Sequence, residues 1–99
     1  MSERIDDNRK QELCRIMALN LPTLRTKADL SQEKLAERIG LSRQTISSVE
    51  SGKRELQWNV FITLALFFQN DDEIRTLMSA IGIIDEKLEK LLGAEAKRL

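Results

Sequence analysis

No histidine occurs among the 99 residues, and cysteine occurs once, at Cys14. Without histidine the chain cannot build a Ser–His–Asp triad, a Cys–His dyad or a mixed Cys–His zinc site. A lone cysteine closes no internal disulfide, which fits a reducing compartment, and within its apolar stretch Cys14 is expected to be a packing residue. No cofactor or metal is expected, and the protein is not expected to be an enzyme. Charge of one sign is also missing: 16 basic and 16 acidic residues cancel. Any attraction to an anionic partner must therefore be local. The opening MSERIDDNRK lacks a signal-peptide apolar core, and no apolar run approaches the roughly 18 residues of a membrane span, so a cytoplasmic protein with no membrane partner is the expectation. With one proline, four glycines, 41 % hydrophobic and 32 % charged residues, the composition is that of a soluble, helix-rich chain and not of a disordered tail. The length suits a single domain spanning 1–99.

Apolar positions recur at helical spacing throughout, and no segment alternates as a strand does, so an all-α fold is expected. Leu13, Ile16, Met17 and Leu21 mark an amphipathic N-terminal helix over about 5–19. Pro22 removes a backbone donor and disfavours helical geometry in the residue before it, which predicts a break near 20–22 and a short second helix over 24–28. Ser31 is a good N-cap for a helix over 32–39 that Gly40 ends, and Ser42 caps a further helix running to about Glu50. Two helices of about eight residues joined by so short a turn must cross. The stretch LQWNVFITLALFF is apolar nearly all round and must be buried on more than one side. Asp71 and its neighbours cap a helix through Ser79 that Gly82 closes, and Ile84, Leu88, Leu91 and Leu92 line a charged C-terminal helix.

Function concentrates in residues 31–54, SQEKLAERIGLSRQTISSVESGKR. Leu35, Ala36, Ile39, Leu41, Ile46 and Val49 fall on the faces that two crossing helices turn inward. Arg43, Gln44, Ser47 and Ser48 remain on the outer face of the second helix, a polar and mostly uncharged set rich in groups that both donate and accept. A merely solvated surface usually carries Glu and Lys instead.

This segment resembles the phage repressor and Cro type of helix-turn-helix, the xenobiotic-response-element family. Small Ala36, turn Gly40, apolar Ile46 and Val49, and Arg25 upstream carry the likeness, which extends over about 17–83. The resemblance implies a five-helix repressor-like DNA-binding domain with an additional N-terminal helix and a C-terminal helix: an extension over 1–20, a helix-turn-helix core over 21–83 and a last helix over 84–99. It places the helix beginning after Ser42 in the major groove of double-stranded DNA. Gln44 is then the first candidate base reader, since its amide matches the N6/N7 pair of adenine, and Arg43 suits guanine O6/N7 or else a phosphate. Ser47 and Ser48 reach only nearby bases. Phosphate contacts fall to Gln32, Ser42, the region of Ser51 and Gly52, Lys53 and Arg54, and Arg25 with Glu50 forms a structural ion pair. Two departures stand out: Pro22 lies in the first helix of the motif, and Leu56 stands where many members have proline.

Residues 21–61 hold seven basic against five acidic residues, a net of +2, so the local footprint is weak. Specific binding is expected to need a homodimer on an inverted-repeat operator, acting as a transcriptional repressor. The candidate interfaces are the N-terminal stripe, the second face of the Trp58 helix and the C-terminal stripe, each of which can equally be covered within one subunit. The competing function is a protein-interaction module or antitoxin-like regulator that takes a protein partner on the apolar 58–68 helix.

Overall fold

The structure, a computed structural model, describes residues 5–98; residues 1–4 and 99 lie outside the described residues. The described residues form six α-helices and no strand: α1 Asp7–Lys27, α2 Gln32–Ile39, α3 Arg43–Glu50, α4 Trp58–Phe68, α5 Asp72–Ala80 and α6 Glu86–Arg98. The all-α expectation holds.

Local chemistry sets most of the boundaries. The side chains of Asp6, Ser31, Ser42 and Asp71 each accept a hydrogen bond from a backbone N–H three residues on, at the starts of α1, α2, α3 and α5. Asp85 does the same ahead of α6, accepting from the N–H of Leu88 at 2.8 Å. That bond, helped by the guanidinium of Arg9, holds the Asp85 carboxyl below its ordinary range. Gly40 ends α2 in the left-handed region at φ 76°. A side chain there would meet open space, so the backbone angle alone calls for glycine.

The expected break at Pro22 is absent. α1 runs unbroken for 21 residues with Pro22 inside it, so the N-terminal extension and the first helix of the motif are one element. An interior proline forfeits the bond to the carbonyl four residues back, at a cost of about 3 kcal/mol. Met17, Leu21 and Leu24 flank the site and are fully buried, each contributing about 1.5–3 kcal/mol on burial. Burial of these neighbouring side chains outweighs the lost bond. The helix instead ends at Ala28, followed by Asp29 in the left-handed region at φ 59°.

α4 is the central element, with α1, α2 and α6 packed against it, while α3 packs against α1 and α2. Its buried side, Phe61, Leu64, Ala65 and Phe68, meets Leu13, Met17, Leu21 and Leu24 of α1 and Leu88 and Leu92 of α6 in one core. Trp58 stacks on Phe61 with ring centres 4.8 Å apart, and the ammonium of Lys10 on α1 sits 5.5 Å above the Trp58 ring. Much of the apolar stripes of both ends of the chain is covered here: Ile5, Leu13 and Met17 at one end and Ile83, Ile84, Leu88 and Leu92 at the other are buried within the subunit, while Ile16 and Leu91 are partly buried and Leu19 is exposed.

Candidate nucleic-acid interface

The unit α2–turn–α3 is held by its apolar positions and its turn. Leu35, Ala36, Ile46 and Val49 are buried, and the Ala36 carbonyl accepts from the N–H groups of both Gly40 and Leu41. This sets α3 across α2 with its other side free. At 100° per residue, Arg43, Gln44, Ser47 and Ser48 share that outer face. Arg43 and Gln44 are exposed, and Ser47 and Ser48 are half-buried.

An acid on such a face would repel phosphate, and Glu50 is the one acidic residue of α3. It is turned inward. Arg25 of α1 grips it with two hydrogen bonds, Nε to Oε2 at 2.8 Å and NH2 to Oε1 at 3.1 Å. The third guanidinium nitrogen donates to the Leu30 carbonyl at 3.0 Å. The bond to Glu50 also raises the pKa of the already permanent arginine charge. Gln32 adds a bond from its amide nitrogen to Glu50 Oε1 at 2.9 Å, so one carboxylate ties α1, α2 and α3 together. The side chains are only 17 % and 8 % exposed.

Several groups assigned to phosphate are already engaged. One amide hydrogen of Gln32 is spent on Glu50, leaving the other free. The Ser42 hydroxyl caps α3 and lies 2.9 Å from the Thr45 hydroxyl. The N–H of Ser51 bonds the Ser47 carbonyl and that of Gly52 bonds the Val49 carbonyl, while the Ser51 hydroxyl donates to the Ser48 carbonyl. The backbone N–H groups of Ser51 and Gly52 are therefore already engaged within the chain. Lys53 and Arg54 are exposed. Thr45, at the edge of the outer face, escaped sequence reasoning. Its place three residues after the Ser42 cap was the available signal.

An all-helical bundle presenting a short second helix with an uncharged polar face, its one acid tucked away, has the architecture of helix-turn-helix DNA-binding proteins. The family model described as helix-turn-helix matches residues 23–71. The chain carries a helix-turn-helix domain of the Cro/C1 type, the domain of DNA-binding transcription regulators. No curated protein and no solved structure matches the chain. Among the described residues no helix is long and apolar enough to cross a membrane, and no group of three or more potential ligands is placed to hold a metal.

Proposed function

We propose that the chain is a sequence-specific transcriptional repressor that binds an inverted-repeat operator as a homodimer, with α3 in the major groove. The observation that carries this reading is the inward clamp on Glu50, which clears the only negative charge from the face of α3. Arg43 and Gln44 at the N-terminal end of that face are the primary base readers, with Ser47 and Ser48 behind them. Gln32, Ser42, Ser51 and Lys53 form the phosphate-contacting set, to which Gln32 brings its remaining amide hydrogen, and Arg25 with Glu50 is the scaffold.

For the second subunit the outer side of α4 offers a partly buried apolar face. Ile39, Trp58, Ile62, Leu66 and Phe67 line a groove of about 800 Å³ there, whose remaining wall is made by Asn59, Thr63, Gln69, Asn70 and the single charge of Arg38. Amides and hydroxyls both donate and accept, so this wall can pair with a copy of itself across a two-fold axis. A charged partner finds little to match.

The test is selection of bound sequences from a random duplex pool, then titration of the enriched site with wild type and Gln44→Ala at two salt concentrations. The expected result is an inverted repeat, with Gln44→Ala relaxing one symmetric position by about 1–3 kcal/mol. Sedimentation of the free protein should give a dimer that Leu66→Glu dissociates. Failure to enrich any sequence, with weak binding that fades in salt, refutes the reading and leaves the α4 groove to a different protein.

A further inference from the structure

Beyond the contacts so far assigned, the geometry points to Arg54 as a base-reading, specificity-determining residue and not a phosphate anchor; this rests on the DNA-binding reading above. After α3 the chain turns back on itself. Gly52 takes φ 81°, and the N–H groups of Lys53 and Arg54 both bond the Ser48 carbonyl, at 2.9 and 3.2 Å. That backbone fold sets the start of the Arg54 side chain beside Ser48 and sends it back along α3. Its guanidinium NH1 reaches the Thr45 hydroxyl at 3.2 Å, about one helical turn nearer the N-terminus of α3. The Thr45 oxygen is in turn fixed by the Ser42 hydroxyl at 2.9 Å.

The consequence follows from what α3 itself lacks. Its outer face has long side chains at Arg43 and Gln44, but beyond them only the hydroxyls of Ser47 and Ser48, which reach only bases lying close to the helix. Arg54, supplied from the loop, is the long donor lying along that stretch. Among the described residues Thr45 is its hydrogen-bond partner and no carboxylate pairs with it. One guanidinium nitrogen is therefore anchored while other N–H groups stay free, and two parallel donors are what the O6/N7 edge of guanine accepts.

Binding is measured for wild type, Arg54→Ala, Arg54→Lys and Thr45→Val on the enriched operator and on its single-base-pair variants, at several salt concentrations. The expected result is that Arg54→Ala flattens the preference at one G·C pair per half-site by about tenfold or more while the ranking at other positions stays. Arg54→Lys should keep the salt dependence yet lose that preference, since a single ammonium cannot fork. Thr45→Val, with an unchanged melting temperature, should weaken the same preference about threefold by freeing the guanidinium. A uniform loss on all sequences with Arg54→Ala, the salt slope falling by about one, makes Arg54 a phosphate contact and overturns the inference while leaving the DNA reading intact. No change in Arg54→Ala overturns it as well. Absence of any wild-type preference overturns both, so the two failures are told apart by the wild-type selection alone.

Discussion

Replacing Arg25 by methionine should destabilise the protein more than any surface charge change. Methionine keeps much of the aliphatic stem but removes the two donors that hold the Glu50 carboxylate, leaving the Gln32 amide, at 2.9 Å, as its one side-chain donor among the described residues. Exposure decides the magnitude. An exposed pair is worth about 0–1 kcal/mol, whereas a desolvated pair that loses one partner strands a charge at a cost of about 3–5 kcal/mol. Glu50 at 8 % and Arg25 at 17 % belong to the second case. In a domain of this size each kcal/mol moves the melting temperature by about 4–8 °C, so Arg25→Met should melt roughly 15–30 °C below wild type. Glu50→Gln, which keeps the shape and leaves the longer arginine able to reach water, should cost about 1–2 kcal/mol. Arg25→Met combined with Glu50→Leu removes both charges and should return to within about 2 kcal/mol of wild type. Urea and thermal unfolding followed by circular dichroism provide the cycle. An Arg25→Met penalty below about 1 kcal/mol, or a double variant whose cost is the sum of the singles, refutes the reasoning.

Two further outcomes test the helix packing. Pro22→Ala should restore a backbone donor inside a helix already continuous through that position and flanked by buried Leu21 and Leu24, raising stability by about 1–3 kcal/mol in urea unfolding; a loss would mean that the packing depends on the ring. Burial pushes the Cys14 thiol up to about 11, so the folded state keeps its proton where the unfolded chain, ionising near pH 8.5–9, gives it up. The stability this contributes is intact below about pH 8.5 and is lost as pH climbs toward 11, by up to about 3 kcal/mol. Wild type should therefore lose stability relative to Cys14→Ala between pH 8 and 10.5, and a gap between the two that is independent of pH contradicts the burial argument.

The helix boundaries that sequence reading placed well are those decided within four residues. Ser31, Ser42 and Asp71 cap their helices through bonds to N–H groups three positions on, and Gly40 stops α2 through its own backbone angle. Pro22 fits the same local logic and fails it, because the opposing contribution comes from the core side of α1, which no window of a few residues contains. Distance in the chain hides the remaining features for the same reason. Arg25 and Glu50 are 25 positions apart, so no periodicity points from one to the other, and only the family resemblance made their pairing legible. The reach of Arg54 to Thr45 exists only because the loop folds back on the Ser48 carbonyl, and a residue that looks like one more basic side chain after the helix becomes part of its edge.

These long-range ties also bear on how a chain with no net charge handles a polyanion. Counterion release scales with the number of phosphates neutralised, and a segment at +2 neutralises few. Binding that depends little on charge must depend on fit, so the elements that fix α3 matter more here than in a strongly basic reader. Glu50 is central to that fit. Its carboxylate joins three helices at one point, and on the proposed reading its burial converts what would be a repulsive charge on the DNA-facing side into the joint that holds α3 in place. A variant that adds positive charge elsewhere on the surface should therefore raise affinity for all DNA and lower discrimination, whereas loosening the Glu50 joint should lower discrimination without raising affinity for any sequence.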